Sequence, residues 1–183
     1  MRGFCWEEEV LSQLALIPAK PGVYTLVIEL GQATRLRVGS LGELALPRGV
    51  YAYTGSALGK ATNLRNRVGR HFSMYKKLRW HVDYLLASEV SQIRAVVFAI
   101  TNQRMECSVS KLVLERLGVK PIFRGFGSSD CREGCITHLC FCGEADWLRI
   151  ASWIAHLYVE LGLYPRIISA AIPEEKMVVN QDA

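Results

Sequence analysis

The sequence predicts an α+β fold in which helices flank a small, mainly antiparallel β-sheet. Short segments rich in β-branched and aromatic residues are bounded by glycine and proline, which is typical of strands separated by turns. Other segments repeat apolar residues at the spacing of an amphipathic helix, and they are interspersed with the strands. A chain of 183 residues, half of them apolar, is also long enough to bury a core of its own.

Composition narrows the class of protein further. Apolar residues make up 50% of the chain and charged residues 21%, which indicates a globular rather than a disordered protein. The net charge of +5 favours an anionic partner. No apolar run reaches the ~18 residues of a membrane span, and the acidic run Glu7–Glu9 argues against an ordinary signal peptide. We therefore expect a cytoplasmic protein with no membrane partner.

The first third of the chain predicts one helix followed by three strands. Apolar residues recur at helical spacing over Trp6–Ile17, and Pro18 ends this helix. The strands that follow are separated from one another by glycine-containing turns. They are expected over Gly22–Leu30, Arg35–Val38 and Arg48–Gly55.

The remainder of the chain predicts four helices and two strands. Thr62 or Asn63 can cap the first of these helices, which runs through Arg67 and His71. The later elements are a helix over Trp80–Leu86, a strand over Gln92–Ile100, a helix over Glu106–Leu117, a short strand over Thr137–Cys142 and a helix over Ala145–Leu161. We divide the chain accordingly into an N-terminal helical appendage (residues 1–19), a main domain (20–142) and a C-terminal helix with a tail (143–183).

Tyrosine, arginine, histidine and glutamate side chains occur here in an order that suits phosphodiester hydrolysis. That reaction needs a base for the attacking water and positive charge for the phosphate and the leaving oxygen. Arg67 and His71 are four residues apart on the predicted helix, so their side chains share one face, ~6 Å apart at Cβ. Glu106 opens the next long helix. A single carboxylate can hold an ion of the Mg²⁺ type, because the ion keeps most of its waters.

The order and spacing of several motifs resemble those of the GIY-YIG nuclease superfamily. Gly22-Val23-Tyr24 and Tyr53-Thr54-Gly55 are similar to its two signature strands, and Asn63–Val68 is similar to the helix that carries its arginine. Arg70-His71-Phe72 resembles the version of that helix in phage homing endonucleases. Within the superfamily the chain most resembles the Uri-type endonucleases of prokaryotes. The segments that match them are Tyr51–Ala57, Arg70-His71, Trp80–Leu85, Glu106-Cys107 and Gly125–Cys131.

The resemblance implies a metal-dependent endonuclease, with DNA rather than RNA as the expected substrate. The residues it implies as catalytic are Tyr24, Tyr53, Arg67, His71 and Glu106. The tyrosines would position or deprotonate the attacking water, the arginine would bind the scissile phosphate and the histidine would assist proton transfer. The glutamate would hold one divalent ion, Mg²⁺ or Mn²⁺. The two signature strands are further apart here than in the compact superfamily pattern, so Arg35–Leu46 is expected to form an inserted hairpin.

Basic residues concentrate around the helix that carries Arg67. Such a concentration beside the predicted site indicates a track for a phosphate backbone. An ordinary solvated helix face would carry similar charges, so the pattern alone leaves both interpretations open. The residues that we expect to bind nucleic acid are Arg65, Arg70, Lys76 and Lys77.

Cysteines and one histidine form a second constellation late in the chain. On a strand, His138, Cys140 and Cys142 would share one face, and Cys131 or Cys135 could complete a tetrahedral zinc site. Plain packing of buried thiols is a second interpretation. A disulfide between Cys131 and Cys135 is a third, because the scarcity of Asn and Gln hints at a heat-adapted source, in which intracellular disulfides occur.

Three functions are compatible with these patterns. Besides the endonuclease, the chain could be a module that binds nucleic acid on the same scaffold without cleaving it, and such a module would not need Glu106. A zinc-stabilised interaction protein would bind zinc and no nucleic acid. The predicted Ala145–Leu161 helix has an apolar stripe, which indicates either core packing or a homodimer surface. The stripe consists of Trp147, Ile150, Ile154, Leu157 and Leu161.

Overall fold

A five-stranded antiparallel sheet organises the fold, and a two-stranded hairpin forms a second, smaller sheet. The structure is a computed structural model that describes residues 12–59, 61–73, 75–118, 121, 123–129, 131 and 133–170. Its strands are β1 (Gly22–Leu30), β2 (Thr34–Arg37), β3 (Glu43–Leu46), β4 (Gly49–Ala57), β5 (Ser91–Ile100), β6 (Leu139–Phe141) and β7 (Arg166–Ser169). Its α-helices are α1 (Leu64–Phe72), α2 (His81–Leu86), α3 (Glu106–Leu117) and α4 (Trp147–Glu160).

Strand β1 lies at the centre of the large sheet, whose strand order is β6-β4-β1-β5-β7. It pairs antiparallel with β4 on one side and with β5 on the other, so that Tyr24 lies between Gly55 and Phe98. All neighbouring strands in this sheet are antiparallel, and helices accompany it. The predicted α+β class with an antiparallel sheet is therefore confirmed.

Helices cover both faces of the sheet. On the first face, Leu26 of β1 belongs to one apolar cluster with Leu64 of α1. On the second face, Val27 belongs to another cluster with Val109 of α3 and Ile154 of α4. Because successive side chains of a strand point to opposite faces, β1 must be apolar at almost every position, and this is why its sequence shows no alternation.

The segment between the first two long strands forms the expected inserted hairpin. Strands β2 and β3 pair antiparallel, with Thr34 opposite Leu46, and a 3₁₀ turn over Gly39–Leu41 lies between them. Leu36 and Leu44 pack against the core cluster on the first face of the large sheet. The hairpin thus contributes to the core on that face.

The C-terminal helix is part of the core. Ile150 and Ile154 of α4 are buried against the second face of the sheet, and β7 extends the same sheet by pairing with β5. The apolar stripe that we identified in the predicted helix is therefore used within the chain. A homodimer through α4 would have to use its outer side, where Leu148 and Val159 are exposed.

Two predicted segments fall wholly or partly outside the described residues. Of the predicted Trp6–Ile17 helix, residues 6–11 lie outside them, whereas residues 12–15 are helical. Of the predicted C-terminal helix and tail (143–183), residues 171–183 also lie outside. Within the described part of the chain, no helix has both the length and the apolar character needed to cross a membrane.

Candidate active site

A polar cleft of about 1000 Å³ brings together three of the five residues expected to be catalytic. Tyr53 of β4, Arg67 of α1 and Glu106 at the start of α3 all line it. The cleft is where the end of β4 and the loop after it meet the first turn of α3. Residues that are far apart in the sequence thus contribute to one concave, solvent-open surface, which is the usual form of a ligand site.

Tyr24 and His71 are buried next to each other and do not line this cleft. The Tyr24 hydroxyl lies 2.8 Å from Nε2 of His71, and Nε of Arg67 donates to the same hydroxyl over 3.4 Å. Gly55 is opposite Tyr24 on β4 and lines the cleft. A Cβ atom on Gly55 would lie 2.6 Å from the hydroxyl oxygen, so only glycine leaves room for this tyrosine. The hydroxyl therefore sits directly behind the cleft wall.

Burial keeps the Tyr24–His71 pair uncharged. Burial lowers the pKa of His71 to about 3, and the nearby cations Lys76, Arg67 and Arg70 act in the same direction. Burial also raises the pKa of Tyr24, although Arg67 opposes that shift. At neutral pH a protonated phenol therefore faces a neutral imidazole. The hydroxyl can accept from Arg67 while it donates to Nε2 of His71.

Trp80, in addition to Tyr24, restrains the side chain of Arg67. The guanidinium groups of Arg67 and Arg70 each lie 4.0 Å from the centroid of the Trp80 ring. This distance is typical of stacking between a cation and an aromatic ring. Arg67 is thus restrained by both Tyr24 and Trp80, so its guanidinium is oriented before any ligand arrives.

The partly exposed Arg70 makes an ion pair with the fully buried Asp83 of α2. Its two terminal nitrogens donate to the two carboxylate oxygens over 2.8 and 2.9 Å. The backbone N–H groups of Arg79 and Trp80 donate to the same carboxylate. Burial alone would raise the pKa of Asp83, but Arg70 and the two N–H groups hold it below its usual range.

The other residues predicted to bind nucleic acid differ in their hydrogen bonds and in their exposure to solvent. Arg65 donates to the carbonyls of Ile17 and Ala15, and Nζ of the half-buried Lys76 donates to the carbonyl of His71 over 2.7 Å. Lys77 is exposed. Of the four basic residues expected on the track, Arg65, Arg70 and Lys76 make hydrogen bonds within the chain, and the two exposed residues are Arg65 and Lys77.

Glu106 has the features of a ligand for a hard cation. It is the first residue of α3 and lines the cleft. Its Oε2 atom is buried and has no hydrogen-bond partner among the described residues. A buried carboxylate oxygen without a partner is costly unless a cation, water or ligand satisfies it. The site therefore fits one Mg²⁺ or Mn²⁺ ion that retains several waters.

Three cysteines and a histidine converge beside Glu106. The ligating atoms of Cys107, Cys131, Cys135 and His138 all lie within 4.8 Å of one another, so this group could hold a metal ion. We refer to it as the Cys₃His cluster. The five described cysteines are free thiols, so the disulfide considered for Cys131 and Cys135 is not formed.

Cys140 and Cys142 do not belong to the Cys₃His cluster, contrary to the expected grouping with His138. Both pack in the apolar cluster on the second face of the sheet. Alternation in a strand places residues on one face, but each step of two residues moves the side chain ~6.6 Å along the strand. Three side chains with this spacing cannot all reach one metal ion. Cys107 of α3 joins His138 in the cluster instead.

Comparison with known proteins assigns the family. A family model described as domain of unknown function DUF123 matches residues 23–159. The chain belongs to the DUF123 family. No curated protein and no solved structure matches it. The DUF123 match runs from β1 to α4 and so includes every residue of the cleft and of the Cys₃His cluster.

The sequence patterns of this DUF123 chain did not indicate several residues that line the cleft. Arg104, Cys107 and Glu133 line the same cleft as Glu106, and Arg104 and Glu133 are exposed. Arg104 and Cys107 lie within two positions of Glu106, which was the one signal available for them. Nothing in the sequence pattern indicated Glu133, because its loop has no regular periodicity.

Proposed function

We propose that this chain is a metal-dependent nuclease that hydrolyses phosphodiester bonds in nucleic acid, with DNA as the expected substrate. The observation that carries the proposal is the convergence of Tyr53, Arg67 and the unpartnered carboxylate oxygen of Glu106 on one open cleft. The resemblance to the GIY-YIG superfamily supports it. The two strands that resemble the superfamily signatures are neighbours in the sheet, and they bring Tyr24 and Gly55 opposite each other.

Glu106 is the residue that would hold the divalent ion. A bound Mg²⁺ or Mn²⁺ ion would neutralise phosphate charge and stabilise the leaving oxygen. Glu133, on the rim of the same cleft, is a second carboxylate within the site. The net charge of +5 and the cleft cations Arg67 and Arg104 favour the approach of a polyanion.

Arg67 is the group that would bind the scissile phosphate. Its guanidinium offers paired donors that match phosphate oxygens. Contacts with Tyr24 and Trp80 restrain the side chain, so less conformational entropy is lost when the phosphate binds.

Tyr53 would act on the attacking water directly, and the Tyr24–His71 pair would act on it indirectly. Tyr53 lines the cleft and can orient a water molecule directly. Tyr24 is buried, so its hydroxyl acts on the site from behind the wall formed by Gly55. The neutral imidazole of His71 can accept the hydroxyl hydrogen of Tyr24 at Nε2, which leaves the oxygen lone pairs of that hydroxyl free to accept from Arg67. With a pKa of about 3, His71 would assist proton transfer by orienting this hydroxyl and would not hold a proton at neutral pH.

The test is cleavage of labelled DNA and RNA in single-stranded, duplex, flap and branched forms, with and without added Mg²⁺ or Mn²⁺. Metal should be omitted rather than chelated, because a chelator would also remove an ion from the Cys₃His cluster. Wild-type protein should give metal-dependent products. Arg67→Ala and Arg67→Lys should both lose them, since lysine keeps the charge but not the paired donors.

Two other outcomes identify the alternatives. Binding of nucleic acid without cleavage of any substrate would favour the non-catalytic binding module. Absence of both binding and cleavage would favour a zinc-stabilised interaction protein.

A further inference from the structure

The Cys₃His cluster assembles from two separate parts of the chain. Cys107 is the second residue of α3, Cys131 and Cys135 lie in the loop that precedes β6, and His138 is the residue before that strand. Cys131 and Cys135 are only half-buried, so they are not ordinary apolar core thiols. Four side chains of the types that bind soft metal ions therefore meet at the edge of a solvent-open cleft.

The distances within the cluster approach those of a tetrahedral metal site. Sγ of Cys107 lies 3.1 Å from Sγ of Cys131 and 3.7 Å from Nε2 of His138. Zinc bonds of ~2.3 Å to sulfur and ~2.0 Å to nitrogen would place those pairs ~3.8 and ~3.5 Å apart. A disulfide would need a sulfur–sulfur distance of ~2.05 Å. Small side-chain adjustments would convert the observed arrangement into a coordination sphere.

Backbone contacts around the cluster suit a thiolate. The N–H group of Glu133 points at Sγ of Cys131 over 3.4 Å. Nζ of Lys111, on α3, donates to the carbonyl of Glu133 over 3.1 Å and so ties this turn to the helix. In metal sites, hydrogen bonds to the ligating sulfur and contacts that fix the surrounding backbone orient the ligands.

We propose that Cys107, Cys131, Cys135 and His138 bind one Zn²⁺ ion. Three thiolates and one imidazole fill all four positions of a tetrahedral zinc ion, and a closed coordination sphere of this kind is typical of structural rather than catalytic zinc. The site is distinct from the carboxylate of Glu106, which as an oxygen ligand suits a hard cation.

The zinc ion fastens the loop before β6 to the first turn of α3. Cys107 directly follows Glu106, so the ion fixes the helix end that carries the cleft carboxylate. It also fixes one wall of the cleft, because Cys131 and His138 line it. Zinc binding itself does not depend on the nuclease activity, and metal content reports on it even if no substrate is cleaved.

Metal content of the full chain tests the site directly. The protein is produced in zinc-supplemented medium, purified under reducing conditions without chelators and analysed by elemental mass spectrometry. Zinc affinity is then measured by competition with a chromophoric chelator for wild type, Cys107→Ser and the double variant Cys107→Ser/Cys131→Ser. Cys142→Ser is the matched control, because Cys142 is a half-buried thiol outside the cluster.

Wild type and Cys142→Ser should carry about one zinc per chain, Cys107→Ser should bind at least ~10-fold more weakly, and the double variant should carry none. Cobalt substitution of the wild-type protein is independent of whether the variants fold, and it should give the intense visible bands of a tetrahedral, sulfur-rich site. Wild-type protein without zinc, a Cys107–Cys131 disulfide in the purified chain, an octahedral cobalt spectrum or zinc loss confined to Cys142→Ser would each overturn the proposal.

Discussion

The hydroxyl of Tyr24 lies 2.8 Å from Nε2 of His71, and both side chains are buried behind the wall of the cleft. Arg67 connects this pair to the cleft, because its Nε donates to the Tyr24 hydroxyl and its side chain lines the cavity. Tyr24 can therefore influence chemistry in the cleft through the position of Arg67.

Removal of the Tyr24 hydroxyl should separate its contribution to activity from its contribution to stability. Tyr24→Phe keeps the ring but loses the hydrogen bonds to His71 and Arg67. We expect a loss of about 1 kcal/mol in the free energy of unfolding and a roughly 10- to 100-fold loss of cleavage rate, because Arg67 loses its hydrogen bond to Tyr24 and is restrained by Trp80 alone. Urea unfolding and single-turnover cleavage provide the two measurements.

Tyr158→Phe is the matched control for that variant. Tyr158 is also fully buried, and its hydroxyl lies 3.0 Å from Oγ1 of Thr25, but it belongs to the core cluster on the other face of the sheet. It should lose similar stability and keep its cleavage rate. Equal rate losses in the two variants would mean that the Tyr24 hydroxyl has only a structural role.

His71 should make the protein less stable in mild acid. Its pKa is about 3 in the folded protein and ~6.5 in the unfolded chain, so between these values only the unfolded chain takes up the proton. Stability conferred by the neutral imidazole is thus fully present above pH ~6.5 and declines by about 1.4 kcal/mol per unit as the pH falls below it.

His71→Gln should flatten this dependence in urea unfolding between pH 7 and pH 5. Asp83 does not interfere in that window. Its folded pKa is depressed, so its contribution is present above its unfolded pKa of ~3.9 and is lost as the pH falls through the lower folded value. Identical slopes for wild type and His71→Gln would contradict the assignment of this titration to His71.

The buried carboxylate of Asp83 should contribute more to the free energy of unfolding than an exposed carboxylate does. Asp83→Ala removes the acceptor that Arg70 and two backbone N–H groups share, so we expect a loss of about 1.5–3 kcal/mol in the free energy of unfolding. Glu43→Ala breaks the exposed Arg35–Glu43 pair and should cost about 0–1 kcal/mol. Chemical denaturation compares them, and a small effect for Asp83→Ala would show that its ion pair is not a structural anchor.

Lys77 should contribute to nucleic-acid affinity without contributing to the fold. Its exposed charge is free to meet a phosphate, so Lys77→Ala should weaken binding and reduce the slope of log K against log salt by about one. Arg116→Ala removes an exposed charge ten residues along α3 from Glu106 and should leave the slope unchanged. Fluorescence anisotropy over a salt series measures both. The same slope in both variants would exclude Lys77 from the interface.

Local pattern predicted most of the fold, because strand and helix periods depend on neighbouring residues. The inserted hairpin and the helix that opens at Glu106 follow from such patterns. The pattern could not tell that Tyr24 and His71 would be buried while Tyr53 reached the cleft. Both tyrosines belong to the core cluster on the face of the sheet that α1 covers. The difference therefore depends on how the side chains and the loop after β4 close over one ring and leave the other at the cleft wall.

Contacts between distant segments account for what the sequence did not predict. Arg70 is expected to bind nucleic acid, and the sequence did not show that it also pairs with Asp83 thirteen residues later, on another helix. Cys107 joins Cys131 across 24 residues, whereas Cys140 and Cys142 pack in the apolar cluster on the second face of the sheet. Such partners become visible only when the helices are placed on the sheet.

The most direct test of the proposed nuclease is Glu106→Gln against Glu115→Gln, an exposed glutamate on the same helix. Single-turnover cleavage and substrate affinity are measured with Mg²⁺ for both variants and the wild type. The proposal predicts that Glu106→Gln loses at least about 100-fold in rate, since the carboxylate proposed to hold the metal is removed, while its affinity for nucleic acid and the rate of Glu115→Gln are unchanged. Cleavage by Glu106→Gln at the wild-type rate would contradict the proposed metal site.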